Sequence, residues 1–132
     1  MERGEFETMI EEGYERLPER VRKEIENVAL LLEDEPSAEV RELEKLRPDE
    51  TLLGLYQGIP RNARNYDASM ELPDTITLYQ FPIEAAAEED GKDVRDVIAE
   101  TIWHEFAHHF GMDETEVRLR EAERDQSTSE AD

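Results

Sequence analysis

Cysteine is absent from the 132-residue chain, which excludes a disulfide framework, a thiolate metal site and thiol catalysis and leaves the redox compartment open. Basic residues are scarce: 15 Lys and Arg stand against 36 Asp and Glu, a formal charge of −21. A polyanionic surface of that density repels phosphate backbones and acidic membranes, so the composition argues against a nucleic-acid or lipid-surface binder. Long apolar runs are missing too. The longest, Val28 to Leu32, falls far short of the ~20 residues that cross a bilayer. Met1 opens onto Glu2, Arg3 and Glu5 instead of a basic segment followed by an apolar one, and the expectation is a cytoplasmic protein. Hydrophobic residues make up 37% and charged residues 39%, which is lean but patterned well enough to fold. This length suits one domain, expected over residues 1–125, with a disordered tail at 126–132.

Phe6, Met9, Ile10, Gly13, Tyr14 and Leu17 recur at steps of three and four and predict a helix over about 5–17, closed by Pro18. A short helix follows with Val21 and Ile25 inward, and Val28 to Leu32 reads as a buried strand ended by Glu33-Asp34-Glu35-Pro36. Ser37 to Leu46 has weak helical periodicity at Val40, Leu43 and Leu46. Leu52 to Tyr56 is a second strand, and the stretch from Gly58 to Asp74 is irregular. Thr75 to Phe81, rich in β-branched and aromatic residues and stopped by Pro82, is the best strand in the sequence. A short helix over Ile83 to Glu88, a long one from about Lys92 to Phe110 stopped by Gly111, and a last one from Glu114 to about Arg124 complete the expected elements.

All three histidines lie in the run Trp103-His104-Glu105-Phe106-Ala107-His108-His109-Phe110-Gly111. On a helix, His104 and His108 project from one face at successive turns, close enough for both rings to hold one cation. Glu105 lies about 100° round, where it reaches a water on that cation without being a ligand. This is the HExxH arrangement of zinc hydrolases, in which zinc acidifies water and the glutamate takes its proton. Val94, Val97, Ile98, Ala99, Ile102, Trp103, Phe106, Ala107 and Phe110 point in nearly every direction, which predicts a central, mostly buried helix. Burying two imidazoles and a carboxylate there is costly unless a metal or partner satisfies them.

A catalytic zinc usually takes three protein ligands and keeps one position open. Gly111 stops the helix three residues after His108 and lets the chain fold back, which puts Glu114 in reach of the metal. Asp113, Glu116 and Glu121 are the alternatives. Among tyrosines that could stabilise an oxyanion, Tyr79 and Tyr56 are expected to pack on the sheet, leaving Tyr66 in the irregular stretch as the candidate. Arg61 and Arg64 form a small basic cluster that reads as solvated loop charge or as a receiver of a substrate carboxylate.

The run from Asp74 to Glu114, above all Ile76-Thr77-Leu78-Tyr79, Phe81-Pro82-Ile83-Glu84 and His104 to Gly111, resembles the minimal zincin-like metallopeptidase family of small prokaryotic proteins. The likeness extends upstream through Phe6, Leu17-Pro18, Val28 to Pro36, and Leu53-Gly54-Leu55-Tyr56-Gln57-Gly58-Ile59-Pro60. It implies an α+β zincin-like fold, with a small mixed sheet packed against the HExxH helix and helices at both ends, and zinc peptidase activity. The family's metal pattern falls on His104, His108 and Glu114, and its general base on Glu105. The last metal position is commonly Asp, and Glu114 is one methylene longer.

Together these readings predict a Zn2+-dependent peptidase with a shallow groove suited to short or unfolded peptides. Its rivals are a non-catalytic interaction protein braced by zinc and a zinc hydrolase of a non-peptide amide or ester. A purely structural site needs no general base beside the histidines, which makes Glu105 the discriminating residue.

Overall fold

The structure is a computed structural model and describes residues 1–58 and 73–109. Helix α1 (Arg3–Glu15) and the short α2 (Glu19–Glu24) lead into strand β1 (Val28–Glu33). Helix α3 (Ala38–Leu43) precedes β2 (Gly54–Gln57), and β3 (Asp74–Tyr79) runs straight into α4 (Gln80–Asp90), followed by α5 (Val94–His109). The strands form one mixed sheet in the order β1-β3-β2. β1 lies parallel to β3 with Leu30 opposite Ile76, and β2 is antiparallel with Tyr56 opposite Ile76. This is the α+β arrangement expected, with a small mixed sheet against the HExxH helix. No described helix is long and apolar enough to cross a membrane.

The core forms where the apolar stripes meet. Phe6 of α1, Val21 of α2, and Leu17 and Ile25 just after these two helices pack with Ile76 and Leu78 of β3, Ile83 of α4, and Ile98, Ile102, Trp103 and Phe106 of α5. Helix α1 lies along α5 so closely that a Cβ on Gly13 would come within 2.8 Å of the Arg95 carbonyl. Ion pairs flank that contact: Arg95 to Glu12 at 2.6 Å and Arg16 to Asp96 at 2.7 Å. Asp93 starts α5 as its cap, accepting from the Arg95 backbone N–H at 2.9 Å. The Arg95 side chain holds the Asp93 carboxyl well below the usual carboxylate range, against a smaller opposing effect of burial.

Three expectations need correction, and the helix expected after Ser37 is present. Val28 to Leu32 is not a buried strand: β1 is an edge of the sheet, Val28, Ala29, Leu30 and Leu32 are half-buried, and Leu31 is 46% exposed. Apolar content marks a strand but does not say how many neighbours it has. The strand ahead of Pro82 ends at Tyr79, and Pro82 sits in the first turn of α4, where its missing N–H breaks no helical bond. The Ser37 helix is real and capped by its own serine, whose Oγ accepts from the Val40 N–H at 3.1 Å, yet it buries nothing and Leu43 is 67% exposed. Helix α5 is less enclosed than its composition suggests: Trp103, Phe106 and Ala107 are buried, but His104, His108 and His109 are exposed.

Tyr66, Arg61, Arg64, Gly111, Asp113, Glu114, Glu116, Glu121, the helix expected from Glu114 and the tail at 126–132 lie outside the described residues.

Candidate metal centre

Helix α5 crosses the sheet at β2, and a glycine permits the crossing. A Cβ on Gly54 would stand 2.7 Å from Thr101 Cγ2, 3.1 Å from the Thr77 carbonyl and 3.5 Å from Glu105 Cγ. A glycine inside a strand marks such an approach of another element. With β2 so close, the Tyr56 N–H donates to Glu105 Oε2 at 3.4 Å. Antiparallel pairing turns alternate residues of β2 away from β3, and the Tyr79 N–H bond to the Leu53 carbonyl (2.9 Å) fixes which ones. Tyr56 belongs to the outward set, which turns its N–H towards the Glu105 carboxylate.

Glu105 is half-buried. Burial pushes its carboxyl up, the Tyr56 N–H and then His108 pull it down, and Glu44 raises it again. Beside it the His104 and His108 rings lie 5.8 Å apart between centroids, their planes within 13° of parallel. The two imidazoles stand one helical turn apart and both are open to solvent. Their exposure also removes burial as the reason for a metal: the case rests on shared direction and on the neighbouring carboxylate. Among the described residues no set of three His, Asp or Glu is close enough to hold a metal, and the expected third ligand, Glu114, lies outside them.

Several contributors escaped the sequence reading. His109, the third histidine, stacks on Tyr56 with ring centroids 3.8 Å apart, and the Tyr56 hydroxyl donates to Asp74 Oδ2 at 2.8 Å. Asp74, Tyr56 and His109 thus tie the start of β3, β2 and the end of α5 together beside Glu105. Gly54 within a strand and an aromatic two residues later were the available signals. Tyr79 is only 1% exposed and packs in the sheet as expected, its hydroxyl pushed up by burial and then by Glu33, Glu44 and Glu105.

Fold and site together define a class: an α+β protein whose HExxH helix lies against an edge strand of a small mixed sheet. Residues 25–124 match the family model described as zincin-like metallopeptidase, well over half of the chain, and the chain belongs to that family. A search of curated proteins gave no match.

Proposed function

We propose that the protein is a zinc-dependent peptidase that uses Glu105 as general base, with His104, His108 and Glu114 as metal ligands. The observation that carries this reading is the Glu105 carboxylate, half-buried and held by the Tyr56 N–H at 3.4 Å, next to two nearly parallel imidazoles. The donor chemistry fits zinc, since imidazole and carboxylate suit it and the chain has no thiolate to offer. Zinc held there would supply the positive charge that acidifies a water and polarises a carbonyl.

Glu105 takes the proton of the attacking water and returns it to the departing amine, and its hydrogen bond to β2 keeps the accepting oxygen in place. The Tyr66 phenol is proposed to stabilise the oxyanion. The substrates proposed are short or unfolded peptides.

Metal content separates this reading from an unmetallated one. The purified protein should hold about one equivalent of zinc and cleave a quenched peptide library in a chelator-sensitive way, and His104→Ala or His108→Ala should lose the metal. Either variant keeping wild-type metal content removes the ligand assignment.

A further inference from the structure

We propose that the groove between α1 and β1, at the sheet edge opposite Glu105, docks an extended partner segment carrying Lys or Arg at alternate positions. The groove encloses about 720 Å³, with Ile10, Tyr14, Val28 and Leu30 supplying apolar surface and Glu7, Glu11 and Glu15 lining the α1 side. The reading does not depend on hydrolysis.

Three features define the occupant. The first is an open strand edge. Arg3 donates to the Leu32 carbonyl at 2.8 Å, so Leu32 faces away from β3. The two-residue alternation of a strand then turns the Leu30 N–H and carbonyl the same way, into the groove. Ahead of Glu33, which ends β1, Val28-Ala29-Leu30-Leu31-Leu32 contains no charge, proline or bulge, the usual means by which proteins keep an edge from pairing. An unblunted edge beside a groove accepts one more strand.

The second is direction and length. Arg3, at the start of α1, reaches the end of β1, while the Tyr14 hydroxyl near the other end of α1 donates to the Arg22 carbonyl (3.4 Å), ahead of β1. Helix and strand therefore run side by side in opposite senses. Thirteen helical residues and six extended ones both span roughly 20 Å.

The third is charge. Glu7, Glu11 and Glu15 are exposed and sit at successive turns of α1, about 6 Å apart along the axis. Same-face side chains of an extended strand repeat at about 6.7 Å, so alternate basic residues of a strand paired to β1 keep step with this row. Arg22 engages Glu15 through its backbone carbonyl at 2.8 Å and its carboxylate at 3.5 Å. Glu7 and Glu11 make no ion pair among the described residues and are the charges an incoming segment would meet. A second copy of the chain is a poor occupant, because it carries −21 and would bring a β1 without a basic residue and another row of glutamates.

The probe is a fluorescently labelled synthetic peptide alternating Lys with Val, titrated into the full chain at physiological salt and followed by anisotropy. Glu7→Lys with Glu11→Lys should weaken binding at least ~30-fold, and the same charge change at exposed Glu39 and Glu42 of α3 less than ~3-fold. Methylating the peptide's backbone nitrogens on the edge that meets β1 should cost at least ~10-fold. Equal losses from the two pairs of reversals, undiminished binding of the methylated peptide, or no saturable binding would each overturn the proposal. So would a dimer of the free chain, seen by sedimentation, that the Glu7 and Glu11 reversals dissociate.

Discussion

The two edges of the sheet solve one problem in opposite ways. An edge strand turns every second peptide group away from its neighbour, and those groups need partners. At the β2 edge the partner comes from within: α5 presses against Gly54, and Glu105 accepts from the Tyr56 N–H. At the β1 edge Arg3 takes the Leu32 carbonyl, and the Leu30 peptide faces a groove walled by glutamates. The difference shows how a small fold places a reactive carboxylate. Glu105 takes part in the hydrogen bonding of a strand, which ties the position of its carboxylate to that of the sheet.

Closing the β2 edge should be the most sensitive feature. Gly54→Val puts branched carbon into a space where even a Cβ would be 2.7 Å from Thr101 Cγ2, and overpacking of that kind costs about 1–3 kcal/mol. Thermal unfolding should move down by several degrees, and any hydrolysis should fall with it because the Tyr56 N–H leaves Glu105. A variant as stable and as active as wild type would break the link between strand and carboxylate.

Tyr56→Phe sharpens the same comparison. It removes the 2.8 Å bond to Asp74 while keeping the ring on His109 and the backbone N–H on Glu105. The expected cost is about 1 kcal/mol of stability, read by denaturant unfolding, with turnover within ~3-fold of wild type because the base keeps its partner. A drop comparable to loss of the base would mean that the hydroxyl itself acts in the reaction.

The smallest effect should lie at the far end of α5, which neither edge controls. Asp93→Asn keeps a capping side chain and removes the charge that Arg95 stabilises. Both partners are about a third exposed, so the loss at neutral pH should be only about 0.5–1 kcal/mol. The folded carboxyl titrates below its unfolded value, so its contribution is full above the ordinary carboxylate range and declines as pH falls below it. Unfolding curves of wild type and variant should therefore converge on acidification. A gap that stayed constant to low pH would show that the charge contributes nothing.

Elements with strong periodicity were legible in advance: the α1 stripe, the β-branched run of β3 and the helix carrying His104, Glu105 and His108. Their identity follows from side chains that must share a face, which sequence spacing encodes directly. Position within the sheet was not legible. Val28 to Leu32 and Thr75 to Tyr79 both read as strands, but one is an edge and the other is central, and that depends on pairing across distant segments. The support of Glu105 was hidden for a related reason: its partner is a backbone N–H 49 residues away, and every residue type but proline offers one. Exposure of the histidines was not legible either, since His104 and His108 share one uncovered face of a helix whose Trp103, Phe106 and Ala107 are buried.

The most direct test of the central claim compares wild type with Glu105→Gln for zinc content and peptide hydrolysis on the same preparations. The amide keeps the size of the side chain and an oxygen that can accept from Tyr56, and Glu105 is assigned as a base and not a ligand. The variant should retain about one equivalent of zinc and lose at least ~100-fold in hydrolysis. Turnover at the wild-type rate would contradict the account, as would loss of the metal along with the activity.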